Sequence, residues 1–202
     1  SSGTNLLRRL MMRHSPLEAS EALGWKHGFP HMLAMPPDLV VLGIVRNAAD
    51  WARSMHAKPW HTTPDMQRLD LSRFLRAPWE TVVDRARYFG GPSARPLVGQ
   101  PLQYDRDPVT GAAFPNLFAL RRAKLGALAG MFRRDCTMVL LRMEDMQTNP
   151  ERVMTAICVG LSLPTPDTPF KPIERRLGSK FKPAVDGRPE TPPALSDVDM
   201  AF

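Results

Sequence analysis

The chain has 202 residues, 43% of them from the hydrophobic set, which suits one well-buried domain and is too few for two substantial ones. Its longest apolar runs, such as residues 39–45, are a strand's length, far short of the roughly 20 residues of a membrane-crossing helix; Cys136 and Cys158 allow at most one bridge, so a transmembrane protein and a disulfide scaffold are both excluded. With 27 basic against 20 acidic side chains the net charge is +7, which favours anionic ligands; the basic residues are scattered and aromatics make up only 7%, so no nucleic-acid partner is expected. Residues 1–5 lack the basic start and apolar run of a secretory signal, and a cytoplasmic protein with two reduced thiols is the expectation.

Residues 5–13 place Leu6, Leu7, Leu10 and Met11 at helical spacing before Ser15-Pro16 interrupts them, so a glycine-containing turn opens directly into a helix. Trp25 to Phe29 reads as a short strand or strand end. Leu39 to Val45 is a continuous apolar run, as in a central parallel strand buried on both faces, and it ends at Arg46 ahead of a helix from Asp50 to Ala57. Met66 to Leu75 and Trp79 to Tyr88 read as helices, with loops at Gly90-Gly91-Pro92 and Gly99-Gln100-Pro101. Asn116 to Phe132 is a helix with Leu117, Leu120, Leu125 and Leu128 among its apolar positions. Cys136 to Leu141 is a second buried-strand candidate, closing on Glu144-Asp145. Asn149-Pro150 is an N-cap followed by proline at the first helical position, with Val153, Ile157 and Leu161 on one face before Pro164. The 21 prolines concentrate beyond that point, and residues 164–202 are expected to be largely irregular. Strands alternating with helices argue for an α/β domain with a mainly parallel sheet.

Three constellations carry chemistry. Ser2-Gly3-Thr4-Asn5 enters a helix whose free backbone N–H groups and positive dipole end can receive a phosphate or sulfate; without a Gly-Lys-Ser/Thr it is not a Walker A loop, and the alternative is that Ser-Ser-Gly is an expression-tag remnant. Arg46 stands where the apolar strand ends, with Ser54 eight residues on. In open α/β sheets ligands bind beyond the carboxyl ends of strands, where such an arginine and serine can share one phosphate; the alternative pairs Arg46 with Asp50 and leaves Ser54 in solvent. Lys26-His27 precedes that strand, and a histidine can take a proton from an attacking hydroxyl near neutral pH. His14, His31, His56 and His61 complete the set of five, but nothing stands at a recognised zinc spacing, so no metal is expected. Glu144-Asp145 is expected to cap or pair.

In this order and with these separations, the segments resemble the sulfotransferases that use 3′-phosphoadenosine 5′-phosphosulfate (PAPS). The resemblance spans about residues 1–163. It implies that Ser2, Gly3, Thr4 and Asn5, with Ser1 where the family usually carries a lysine or arginine, form the 5′-phosphosulfate loop, and that Arg46 and Ser54 hold the 3′-phosphate. Lys26-His27-Gly28-Phe29-Pro30 is similar to the family's Lys-Thr-His-Leu-Pro pattern, implying His27 as general base and Lys26 as the cation nearest the bridging oxygen. Arg142-Met143-Glu144-Asp145-Met146 with Asn149-Pro150-Glu151 resembles the family's last strand and helix, whereas its carboxyl-terminal Arg-Lys-Gly is matched only loosely by Arg175-Arg176-Leu177-Gly178-Ser179-Lys180.

The implied fold is a single-domain, three-layer, P-loop-like α/β fold with a mainly parallel central sheet flanked by helices. Residues 1–163 form the domain, and residues 164–202 are a candidate to complete the cofactor site. The strand that normally precedes the loop is missing from the sequence, so either upstream residues are absent or the sheet lacks a strand. The implied activity is transfer of a sulfuryl group from PAPS to a hydroxyl or amine of a small-molecule or saccharide acceptor, leaving adenosine 3′,5′-bisphosphate (PAP), without a metal. The competing readings are a P-loop-like nucleotide kinase or NTPase and a non-catalytic basic adaptor for anionic polymers.

Overall fold

The structure is a computed structural model that describes residues 3–20, 23–24, 26–30, 34–36, 38–164, 168–174, 177 and 180–202. In chain order its regular elements are α1 (Thr4–His14), β1 (Val40–Val45), α2 (Ala48–Ala57), α3 (Pro64–Arg68), α4 (Leu71–Arg76), α5 (Leu117–Gly130), β2 (Thr137–Arg142), α6 (Met143–Thr148), α7 (Pro150–Gly160) and α8 (Asp197–Met200), with short 3₁₀ turns between them. The chain forms two compact units, each assembled from separate stretches: unit 1 from Ser1–Lys26, Pro30–Ala48 and Leu128–Lys180, and unit 2 from His27–Phe29, Ala49–Ala127 and Phe181–Phe202.

In unit 1 the two apolar runs pair as parallel strands, Val40 opposite Thr137 through Val45 opposite Arg142. The parallel α/β character expected from sequence is present, but the three-layer P-loop-like arrangement is not: the sheet has two strands among the described residues. A central strand in a layered fold is covered on both faces. Here β1 buries Val41 and Ile44, whereas Leu140 of β2 is 44% exposed. Apolar composition made both runs strands, and no further layer among the described residues covers Leu140.

Helix α1 forms because Leu7, Leu10 and Met11 recur every three or four residues and present one stripe. That stripe packs with Ile44 of β1 and with Met146, Met154 and Ile157 of α6 and α7. Asn149 starts α7 as expected: its side-chain oxygen accepts from the Arg152 N–H at 3.1 Å, and Pro150 takes the first helical position. Replacing such a cap by alanine typically costs about 1 kcal/mol.

Unit 2 differs more from the sequence reading. The helix expected over Met66–Leu75 is two helices, because Thr63 caps α3 while Asp70 caps α4 through the Arg73 N–H at 2.9 Å, and Leu69 between them is extended. The helix expected over Trp79–Tyr88 is not formed. There the backbone bonds across the chain, Trp79 N–H to the Phe114 carbonyl at 2.8 Å and Val82 N–H to His61 at 2.7 Å, with antiparallel bridges Thr62–Thr81 and Val82–Pro101. The branched run Thr81-Val82-Val83 disfavours helix, and only Ala86–Tyr88 makes a 3₁₀ turn.

The core of unit 2 is Phe74, Leu75, Trp79 and Leu117, each 1% exposed or less, with Phe74 edge-on to Trp79 at 5.4 Å between ring centres. Each such side chain contributes about 1.5–3 kcal/mol from burial. Beyond Pro164 the described chain is irregular apart from α8, whose cap is Ser196.

Candidate functional site

In unit 1 Gly3 lies at φ 84°, the left-handed region, and caps α1 without a side-chain bond. A Cβ at that position would collide with Met143 Sδ and stand 3.3 Å from Ile44 Cδ1. The start of α1 is therefore packed onto the carboxyl end of β1, beside the point where β2 passes into α6. The carbonyl of Gly3 accepts from the N–H groups of Leu6 and Leu7 at 2.9 and 3.1 Å. Those of Thr4 and Asn5 belong to the first turn, where a helix has no internal acceptor to offer. Lys26 reaches the same end: its Nζ donates to Asn5 Oδ1 at 2.5 Å.

Arg46 follows Ile44 by two residues at that carboxyl end and is half-buried. Beside it stands Glu144, whose carboxylate accepts from the Asn47 N–H at 2.7 Å and lies 3.9 Å from Arg142 Nε. The Asn47 N–H, the N–H of Glu144 itself and the guanidiniums of Arg142 and Arg46 hold the Glu144 carboxyl below the usual carboxylate range, against a small opposing effect of burial. The sequence expectation that Glu144 caps or pairs is met, at the entry to α2. The carboxyl end of the parallel pair thus carries first-turn N–H groups of α1 with the Lys26 ammonium, and the Arg46 guanidinium beside the Glu144 carboxylate; donors of these types suit phosphate or sulfate.

His27 and Ser54 belong to unit 2. Trp25 lies outside the described residues, and the strand expected around it does not form, since Lys26 and His27 lie in a turn. Alternation along a strand therefore does not separate their side chains. The His27 carbonyl accepts from Lys124 Nζ at 2.7 Å. Lys124 in turn pairs with Asp105, which also accepts from Trp79 Nε1 at 3.2 Å and Thr81 Oγ1 at 3.1 Å. A buried carboxylate with three donors thus fixes the ammonium that fixes the His27 backbone. Ser54 sits half-buried in α2, and Asp50, the alternative partner for Arg46, accepts from Arg53 at 3.4 Å.

The other described histidines, His14, His56 and His61, have structural surroundings. His56 is 1% exposed, bonded through Nε2 to the Leu69 carbonyl at 3.0 Å and through Nδ1 to Thr191 Oγ1 at 2.7 Å. The carbonyl can only accept, so Nε2 carries the proton and Thr191 donates to Nδ1. Burial holds its pKa below the usual histidine value. His61 Nδ1 meets Asp84 Oδ1 at 2.7 Å, and His14 stacks on Phe170. His31, like Ser1, Ser2, Arg175, Arg176, Gly178 and Ser179, lies outside the described residues. Among the described residues no group of three His, Cys, Asp or Glu side chains could hold a metal ion, and no helix is long and apolar enough to cross a membrane.

Family models, curated proteins and solved structures hold no match to this chain. The site residues therefore rest on their own geometry. Sequence reasoning missed the Lys124–Asp105 pair, because 19 residues separate the partners and no local pattern links an aspartate in a turn to a lysine on the polar side of a helix. It also left open which group Glu144 would bond; a carboxylate just past one strand and a backbone N–H just past its parallel neighbour is a signal readable only once the register is known.

Proposed function

We propose that the protein is a PAPS-dependent sulfotransferase. The observation that carries this reading is the glycine-opened start of α1 held against Ile44 at the carboxyl end of β1, the position at which α/β proteins receive phosphorylated ligands. The reading gives the donor's 5′-phosphosulfate to the backbone of residues 1–5 with the Thr4 hydroxyl and Lys26, and its 3′-phosphate to Arg46 and Ser54.

In the transfer step His27 takes the proton from an acceptor hydroxyl or amine as the new bond to sulfur forms. The bond between sulfur and the bridging oxygen breaks, and that oxygen leaves on PAP with the electron pair. Charge gathering on the leaving phosphate is met by fixed N–H donors and by the Lys26 ammonium, which Asn5 already orients, so stabilisation needs little rearrangement at the moment of reaction. A small-molecule or saccharide hydroxyl is the proposed acceptor.

The deciding experiment is thermal stabilisation of the full chain by PAP compared with ATP and magnesium. A rise with PAP alone supports the reading; a rise with ATP and magnesium alone supports a kinase or NTPase, and a response to neither refutes nucleotide binding. With activity in hand, His27→Ala should lower turnover by about 10²–10⁴, and Arg46→Ala should weaken PAP binding. Near-normal turnover in the first variant removes His27 as the base.

A further inference from the structure

Unit 2 carries a concentration of positive charge that the sulfuryl-transfer reading leaves unused. Arg85, Ala86, Arg87 and Lys182 line a cleft of about 470 Å³. Its two walls are tied together, since Arg85 Nη2 donates to the Lys182 carbonyl at 3.2 Å. Trp60 meets Tyr88 from one wall and Phe181 from the other edge-on, at 6.0 and 5.4 Å between ring centres. The guanidiniums of Arg87 and Arg85 stand 4.9 and 5.9 Å from the centre of the Tyr88 ring, and Arg87 Nη2 donates to the Tyr88 hydroxyl at 3.0 Å. One ring thus holds two cations side by side, where free arginines would repel each other.

Two observations point to a ligand. Three cations, Arg85, Arg87 and Lys182, line the cleft, and the one carboxylate beside them, Asp84, 3.6 Å from Arg85 Nε, is also bonded to His61 Nδ1 at 2.7 Å. Arg85 Nη1 is buried and has no hydrogen-bond partner among the described residues, a state that costs stability until an acceptor is supplied. We propose that this cleft binds a doubly charged tetrahedral oxyanion, the sulfate or phosphate group of an anionic ligand. Arg87 and Lys182 balance its charge, and a turn of the Arg85 guanidinium gives Nη1 the acceptor it lacks. Guanidinium favours such oxyanions through its forked donors, and two cations beyond the first favour a dianion over a carboxylate.

The test is calorimetric titration of the full chain with sodium sulfate, sodium phosphate and sodium acetate at matched ionic strength. Arg87 and Lys182 are exposed, so the variant Arg87→Ala/Lys182→Ala removes charge without opening the core, and Arg87→Gln is a milder second variant. The expected result is binding of sulfate and phosphate at least tenfold tighter than acetate, weakened tenfold or more in the double variant, weakened in part by Arg87→Gln, and unchanged in Arg68→Ala, an exposed arginine outside the cleft. The same titration with PAP present in excess should give the same sulfate affinity, so this outcome holds whether or not the chain binds PAP. Sulfate affinity that survives the double variant, or is lost instead in Arg68→Ala, or is abolished by PAP, overturns the assignment, as does acetate binding as tightly as sulfate.

Discussion

Replacing Lys124 with methionine removes the cation that Asp105 and the His27 carbonyl share, while keeping most of the aliphatic stem. Asp105 is 8% exposed and would be left with two neutral donors, Trp79 Nε1 and Thr81 Oγ1. Stranding one member of a buried ion pair costs about 3–5 kcal/mol. The Lys124 side chain is 22% exposed, so water screens part of the pair and the lower end applies, about 3 kcal/mol. For a chain of this length that is a fall in Tm of about 6–12 °C. Urea unfolding of the wild type, Lys124→Met, Asp105→Asn and the double variant forms a cycle that isolates the pair. In the Asp105→Asn background the methionine substitution should cost less than about 1 kcal/mol, because no charge remains to be stranded. Equal costs in both backgrounds would refute the reasoning and reduce Lys124 to a surface lysine.

Three further outcomes follow from the geometry. Gly3→Ala should destabilise more than Gly111→Ala: both sit at positive φ, costing about 1–2 kcal/mol, but only Gly3 faces a side chain, Met143, whereas Gly111 has open space; equal denaturant midpoints would contradict the close approach. Burial of Asp199 pushes its carboxyl up, and bonds from Arg76, Ser72 and Ser196 with the Arg76 charge outweigh this and hold it below the usual value. A depressed folded-state pKa adds stability that is full above the unfolded-state value, about 3.9, and is lost as pH falls through the folded one, so the stability gap between wild type and Asp199→Asn should be flat from pH 7 to about 5 and close in stronger acid; a gap unchanged at low pH would count against the pairing. Native thiol labelling should modify half-buried Cys136 well before Cys158, which is 2% exposed and whose thiol burial pushes up, and Cys136→Ser should abolish the fast phase; simultaneous reaction of both would oppose this packing.

Local signals were legible where the physics is local. The stripe Leu7, Leu10, Met11, the Asn149-Pro150 cap and the two apolar runs became α1, α7, β1 and β2 within a residue or two, because spacing, capping and side-chain branching act over a few residues. The breaks in unit 2 were not legible in the same way. Asp70 restarts a helix in the middle of a helical pattern, and residues 79–83 exchange helical bonds for partners at His61 and Phe114, a choice that depends on chain far away in sequence. The number of layers was misread for a related reason: an apolar run implies cover on both faces, but the cover must come from other elements.

The order Gly3-Thr4, His27, Arg46 and Ser54, the +7 charge and the two strand-forming apolar runs were legible in composition and spacing, since each depends on residue type and short-range geometry alone. Only tertiary structure decided that Gly3 packs on Ile44 and Met143, that Glu144 bonds the Asn47 N–H, that Asp105 and Lys124 brace His27, and that Arg85, Arg87 and Lys182 line one cleft. These are meetings between residues far apart in the chain, set by strand register and core packing, which no window of neighbouring residues encodes.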